Sequence, residues 1–246
     1  NMVREGTAIL HTNNEYIHNL TLSRLGVLPF FIIATLSLWF WTKRLYGDVP
    51  ALLAVFIFTT LPPILAHAGF ATTDMANTAA FFTLCWAYTL WLDNPSVKCS
   101  VLLGLAAGFA FTSKFSAVVF LPFFALGYAI VIRLQQHGRI DWRNIRYRRR
   151  IGRFCITLAV AFIAVWGVYR FSFGPLLHGV HLDQLRYEVE TRLGPDDPTG
   201  KKLISLGQIP VPMPEFWDGI LTAFWKNRTG HATFLLGHKL HKKSDI

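Results

Sequence analysis

The chain has 246 residues, of which 52% are hydrophobic and 15% are charged, and its mean hydropathy is +0.37. A typical soluble domain carries about 25% charged residues, so this composition excludes an ordinary soluble protein and favours one that crosses a membrane. The net charge of +10 does not predict a nucleic-acid partner, because eight of the 24 basic residues lie in one segment, Arg133–Arg153. Such a concentration is typical of a loop that sets membrane orientation.

In chain order, about six apolar segments are long enough to cross a hydrocarbon core of about 30 Å. The links between them are short, which indicates antiparallel neighbours, and the predicted fold is all-α, a polytopic transmembrane helix bundle. Pro62 and Pro63 lie late in the second segment, where neighbouring helices can satisfy the carbonyl groups that a kink releases. The predicted spans are Leu25–Thr42, Val49–Ala68, Met75–Leu92, Ser96–Ser113, Phe115–Ile132 and Phe154–Tyr169.

The fourth and fifth segments need a separate argument, because Val101–Ile132 could also form one continuous helix through Lys114. At 1.5 Å per residue that helix would be about 48 Å long, which is too long for one crossing. Positive charge predicts that the basic turn before Gly47 and the arginine-rich segment both lie on the cytoplasmic side. Both can lie on that side only if Val101–Ile132 crosses the membrane twice. We therefore predict a turn at Lys114, which places Lys114 and Asp74 at the same, extracytoplasmic face.

This topology divides the chain into three parts. Residues 1–24 are the remnant of a preceding extracytoplasmic loop, residues 25–169 form the bundle with a cytoplasmic loop at 133–153, and residues 170–246 are extracytoplasmic. In this last part, the spacing of apolar residues in 182–193 predicts an amphipathic helix at the membrane interface. The stretch "GPDDPTGK" predicts a turn-rich loop, and "IPVPMPEFWDG" predicts an extended segment. Neither end of the chain resembles a natural terminus, which predicts a fragment.

One carboxylate, Asp74, follows two threonines between the second and third spans. As a capping residue it would satisfy free N–H groups and suit the helix dipole. As an ionisable group at span depth it would mark a functional site, and the two roles are compatible. Lys114 either extends its ammonium group to the lipid headgroups or binds the phosphate of a lipid-linked donor. His67 lies near Asp74 and is either structural or a substrate contact.

Histidines are frequent in the last part of the chain, which leaves a divalent metal ion as an alternative. No ligand spacing such as HExxH supports a metal site, and no cofactor is predicted. The three cysteines lie in or beside apolar runs and predict no disulfide framework.

The stretch "RLYGDVPALLAVFIFTTLPPILAHAGFATTDMANTAAFF" contains a basic-Leu-aromatic-Gly turn, a span that ends near Pro and His, and an Asp that opens the next helix. With "LLGLAAGFAFTSKFSAVVFLP", "IPVPMPEFWDGI" and "GHATFLLGHK", it resembles membrane glycosyltransferases that take a sugar from a polyprenyl phosphate. These include the protein O-mannosyltransferases and the aminoarabinose transferases of lipid A. The resemblance covers residues 24–239 and implies a GT-C fold with its active site at the outer face.

The resemblance implies an enzyme that moves a hexose-like sugar from dolichyl or undecaprenyl phosphate to a hydroxyl of a protein, lipid or glycan. It makes Asp74 a secondary catalytic acid and makes Lys114, His67, Thr73 and His231 substrate-binding residues. In these enzymes the principal acid lies in a large outer loop after the first span. Only residues 1–24 stand in that position here, so the chain by itself is expected to lack that acid and can be inactive.

Two other classes stay open on the sequence. A transporter or flippase for a lipid-linked or small solute would show inverted repeats and broken helices near the midplane, but Pro62–Pro63 is the single candidate break and no repeat is evident. A non-catalytic membrane subunit would keep the fold without the upstream acid. The leading prediction is a multi-pass integral membrane protein of the bacterial inner membrane, or of the endoplasmic reticulum in a eukaryote. Its partners would be the sugar donor, membrane lipids and a hydroxyl acceptor, with no nucleic acid.

Overall fold

The computed structural model describes residues 2–114, 116–135, 147–177, 179–194, 197–229, 233–235 and 238–240. These residues form helices and two short two-stranded antiparallel sheets, and the chain divides into two compact units, residues 1–164 and 165–246. The helices are α1 (Met2–Leu10), α2 (Tyr16–Leu25), α3 (Leu28–Tyr46), α4 (Asp48–Thr60), α5 (Pro62–Gly69), α6 (Asp74–Asp93), α7 (Val97–Ser113), α8 (Ser116–Gln135), α9 (Tyr147–Val168), α10 (Gly179–Leu193), α11 (Pro198–Gly207) and α12 (Pro214–Thr229), with a 3₁₀ turn at Thr12–Asn14. The strands are β1 (Phe173–Pro175), β2 (Pro210–Pro212), β3 (Thr233–Leu235) and β4 (His238–Leu240).

Two helical segments of the described residues are long and apolar enough to cross a membrane, Tyr16–Tyr46 and Arg150–Val168. The first contains the predicted span Leu25–Thr42 and extends beyond it at both ends. A third candidate is the pair α4 and α5, which are bent by 62° relative to each other, and α7 is a shorter apolar helix. The prediction of a helical membrane protein is confirmed in this coarser form, while the count of about six spans stays a prediction.

The bend between α4 and α5 lies at the two prolines singled out in the sequence. Leu61 has an extended backbone (φ −66°, ψ 122°), as is normal for a residue that precedes proline. Pro62 and Pro63 occupy the first turn of α5. Backbone N–H groups in the first turn have no acceptor within the helix, so the N–H groups that proline lacks are not missed as hydrogen-bond donors there. The bend therefore starts a new helix, which carries His67 in its last turn.

The predicted turn at Lys114 is confirmed. Lys114 lies between α7 and α8 with an extended backbone (φ −161°, ψ 131°), and its N–H donates to the carbonyl of Ala110. The apolar stretch Val101–Ile132 is therefore divided between two helices. The break leaves the lysine at the end of α7 instead of in the middle of a helix.

Helix α6 contributes to both apolar clusters of the first unit, and buried polar bonds add to its packing. Thr89 accepts a hydrogen bond from Trp41 Nε1 of α3 (3.1 Å) and shares another with the hydroxyl of Tyr128 of α8 (2.6 Å). One cluster joins α6 to α3, α4 and α5, and its buried members include Ala34, Phe58, Ala68, Met75 and Ala79. The other joins α6 to α7 and α8, and its buried members include Ala80, Leu84, Leu103, Ala106 and Leu121.

Two glycines let α7 and α9 approach each other closely. A Cβ atom on Gly104 would lie 2.7 Å from the carbonyl oxygen of Thr157, and one on Gly108 would lie 2.7 Å from Cβ of Ala164. The hydroxyl of Thr157 also donates to the carbonyl of Ser100, at 3.2 Å. This is the arrangement in which small residues four positions apart allow two membrane helices to make backbone contact.

The second unit corrects one sequence prediction and refines two others. "GPDDPTGK" is not only a loop, because Pro198 begins α11 and Asp197 caps it by accepting from the N–H of Gly200 at 2.8 Å. The Pro-rich stretch is extended only at β2, which pairs antiparallel with β1, since a new helix starts at Pro214. The predicted amphipathic stretch is helical as α10, while its position at the membrane interface stays a prediction.

Candidate functional site

Three chain breaks at helix ends of the first unit bring polar side chains together. The last turn of α5 carries His67, the first turn of α6 carries Asp74, and the junction of α7 and α8 carries Lys114. His67 and Asp74 lie on either side of the small-residue loop between α5 and α6, and Lys114 lies in the short polar break between α7 and α8. Side chains at helix ends can extend beyond the apolar body of the bundle.

Asp74 is the centre of this group. The ammonium of Lys114 donates to Asp74 Oδ1 at 2.7 Å, and Nδ1 of His67 lies 3.5 Å from Asp74 Oδ2. The side chain of Asp74 is 37% exposed and those of Lys114 and His67 are each 48% exposed. A group this accessible can exchange one of its partners for a ligand without unfolding the helices around it.

The hydrogen bond from Lys114 is the main reason that the pKa of Asp74 lies below its ordinary value of 3.8. Partial desolvation opposes this shift, while a hydrogen bond from the side chain of Thr72 and the charges of Lys114 and His67 add to it. Asp74 is therefore ionised at neutral pH, and its proton affinity is lower than that of a free carboxylate. It is better suited to hold a cation in place than to accept a proton from a substrate.

The structure changes the capping interpretation of Asp74. The N-cap of α6 is Thr73 (φ −79°, ψ −3°), whose side chain makes no capping hydrogen bond, and Asp74 is the first helical residue. Its carboxylate is bonded to Lys114. Asp74 still lies in the first turn, where a negative charge interacts favourably with the helix dipole. Its local role is therefore electrostatic, and the predicted capping role was wrong.

Of the predicted site residues, His67, Asp74 and Lys114 are brought together, and Thr73 adjoins them in sequence. His231 lies outside the described residues. Sequence reasoning treated Thr72 only as part of the capping segment, whereas its side chain also lowers the pKa of Asp74. The available signal was its position two residues before the carboxylate.

A second set of ion pairs lies at other helix ends and was not predicted. Arg44, in the last turn of α3, donates through Nε and Nη2 to Asp93 Oδ2 of α6, at 2.9 and 2.7 Å. Lys43 lies 2.6 Å from Asp48. Asp74 and Asp93 are the first and last residues of α6, so this helix carries one interhelical acid–base pair at each end.

The alternative of a divalent metal ion gains no support from the part of the chain that the structure describes. Within it, no group of three or more His, Cys, Asp or Glu side chains could hold a metal ion. The carboxylate of Asp74 has a lysine and a histidine beside it, and this combination favours an anionic ligand over a cation.

Comparison with known proteins agrees with the resemblance found in the sequence. The family model for dolichyl-phosphate-mannose-protein mannosyltransferases matches residues 18–145. This range contains α3 to α8 and with them His67, Asp74 and Lys114. Neither the curated proteins nor the solved structures give a match.

Proposed function

The chain belongs to the dolichyl-phosphate-mannose-protein mannosyltransferase family, and we propose that it moves a hexose from a polyprenyl phosphate to a hydroxyl acceptor at the extracytoplasmic face. The enzymes of this family are membrane glycosyltransferases, and the match supports that general class for this chain. The donor's dolichyl or undecaprenyl chain, the acceptor on a protein, lipid or glycan, and the bacterial inner membrane or endoplasmic reticulum as location belong to the proposal.

The observation that supports this proposal is the contact between Lys114 and Asp74. A lysine ammonium has three N–H donors, and the bond to Asp74 uses one of them. The others can bind the phosphate oxygens of the donor, whose negative charge grows as the bond between sugar and phosphate breaks. A positive group fixed at that position stabilises the leaving phosphate more in the transition state than in the ground state.

Asp74 acts as a positioning residue in this proposal. Its carboxylate holds the end of a long flexible side chain, so that less conformational entropy is lost when the donor binds. His67, 3.5 Å from the same carboxylate, would contribute a second hydrogen bond to the donor or the acceptor. Deprotonation of the acceptor hydroxyl requires a base, and Asp74 is not assigned that step because its proton affinity is lowered.

Binding of the donor can be measured separately from transfer. The protein, expressed in membranes from its complete reading frame, is reconstituted and titrated with polyprenyl phosphate that carries no sugar. A charge-assisted hydrogen bond contributes about 1.5–3 kcal/mol, so Lys114→Ala should weaken binding roughly 10- to 150-fold. Lys114→Arg keeps the charge and should retain part of the affinity.

Transfer is then followed with radiolabelled polyprenyl-phosphate mannose at matched protein levels. Asp74→Asn should leave the protein inserted and folded and should sharply reduce transfer. The matched control is Asp93→Asn, which removes the acid at the other end of α6 and its bond to Arg44. If Asp74→Asn and Asp93→Asn reduce transfer equally, the site assignment is wrong. If wild type shows no transfer from any polyprenyl-phosphate donor, the proposed activity itself fails.

A further inference from the structure

The second unit begins with the last turn of a helix that is long and apolar enough to cross a membrane, and it continues directly into an aromatic cluster. The span Arg150–Val168 ends at Val168, and Phe171 and Phe173 follow it by three and five residues. Both side chains are exposed, at 57% and 64%. Adjacent exposed aromatic side chains form an apolar patch, which marks a surface that contacts protein or membrane.

The end of α9 has the hydrogen bonds of a Schellman motif. The N–H of Phe171 donates to the carbonyl of Trp166 (2.9 Å), and that of Arg170 donates to the carbonyl of Gly167 (3.0 Å). Arg170 has a left-handed backbone (φ 54°) and occupies the position where such motifs usually carry glycine. The next residue, Phe171, also has a left-handed backbone (φ 55°). This motif turns the chain back toward the span, so Phe171 does not continue away from the membrane.

Contacts with Trp166 fix both phenylalanines at the level of the last turn of the span. The ring of Trp166 lies 5.2 Å from that of Phe171 and 5.0 Å from that of Phe173, both edge-to-face. Its Nε1 donates to the carbonyl of Ser172 at 2.9 Å. The pairing of β1 with β2, in which Phe173 faces Pro212, holds the second phenylalanine in an extended backbone.

We infer that Trp166, Phe171 and Phe173 form a membrane anchor that inserts into the lipid interface where α9 ends. The medium at the end of a span is the headgroup region, which extends about 5–8 Å beyond the hydrocarbon core on each side. Tryptophan is enriched at this depth, and phenylalanine is among the apolar side chains that interfacial segments bury at the boundary of headgroups and acyl chains. Arg170 is exposed beside them and can place its guanidinium among the lipid phosphates. The anchor would fix the height of β1 and β2 at the surface of the bilayer.

The test places a nitroxide label at position 171 or 173, with Cys85, Cys99 and Cys155 replaced by alanine. Each variant is reconstituted in nanodiscs of phosphatidylcholine and phosphatidylglycerol, and its relaxation by oxygen and by a water-soluble nickel chelate is measured. Lys202, an exposed charged residue of α11, gives the control position. Labels at 171 and 173 should favour oxygen over nickel several-fold more than the label at 202. If either label is as accessible to nickel as the control, the inference is overturned.

A measurement on the unaltered chain covers the case in which a labelled variant does not fold. Hydroxyl-radical oxidation in the same nanodiscs, read by mass spectrometry, should modify Phe171 and Phe173 several-fold more slowly than the same residues in a tryptic digest of the chain. Equal rates in the two samples would overturn the inference.

Discussion

Gly104→Ala should destabilise the bundle and also weaken the proposed donor site. The added methyl group would lie 2.7 Å from the carbonyl oxygen of Thr157 and from Cβ of Val160. Non-bonded carbon contacts are favourable at about 3.5–4.0 Å, so α7 and α9 must separate by roughly 0.8 Å or more. Such overpacking costs about 1–3 kcal/mol. Alanine has a higher helix propensity than glycine, which offsets up to about 1 kcal/mol of this cost.

Gly127→Ala is the matched control for this prediction. Gly127 lies inside α8, where an added Cβ would meet nothing within 4 Å. Both substitutions gain about the same helix propensity, so the difference between their free energies of unfolding isolates the packing cost, about 1–3 kcal/mol. Unfolding is followed by SDS titration of the reconstituted protein. Because α7 carries Lys114 at its end, Gly104→Ala should also lower the affinity for polyprenyl phosphate.

Equal stability of Gly104→Ala and Gly127→Ala would refute the close approach of α7 and α9. A loss of stability with unchanged polyprenyl-phosphate affinity would refute the link between that helix contact and the position of Lys114. The two parts of the prediction can therefore fail independently.

Further predictions concern the polar bonds of the bundle. Thr89→Val removes the acceptor of Trp41 and the partner of Tyr128, and leaving buried polar groups without partners should cost about 1–3 kcal/mol in SDS unfolding. An unchanged unfolding midpoint would contradict it. Asp93→Asn should cost less than about 1 kcal/mol, because its bond to Arg44 is exposed to solvent, and a larger loss would show that this pair is stronger than its exposure suggests. The pKa of Asp74 is lowered in the folded chain, so its stabilising contribution is complete above the ordinary value of 3.8 and is lost as pH falls through the lower folded value. The stability difference between wild type and Asp74→Asn should thus stay constant from neutral pH to about pH 5 and shrink below about pH 4, and a difference that falls near neutral pH would contradict the lowered pKa.

Local sequence signals predicted several features of this structure well. The two prolines predicted the bend at Leu61, and the excessive length of Val101–Ile132 predicted the break at Lys114. Both follow from constraints that act within a few residues, namely the missing N–H of proline and the thickness of a bilayer. The helix at Pro198 was missed because turn-forming residues also begin helices, and Asp197 with Pro198 is a normal helix start.

The sequence by itself determined that this chain is a helical membrane protein of a glycosyltransferase family, because apolar length, arginine distribution and motif order are properties of the chain. It also predicts that Asp74 and Lys114 lie at one membrane face, because the apolar segments predict two crossings between them. Only the tertiary structure decided that they touch, at 2.7 Å, and that Asp74 bonds to this lysine instead of capping its helix. These residues are 40 positions apart, and their contact depends on the side-by-side packing of α6 and α7, which buried small residues such as Ala80 and Ala106 permit. Such packing arises from the shapes of two helix surfaces together, and neither segment contains that information alone.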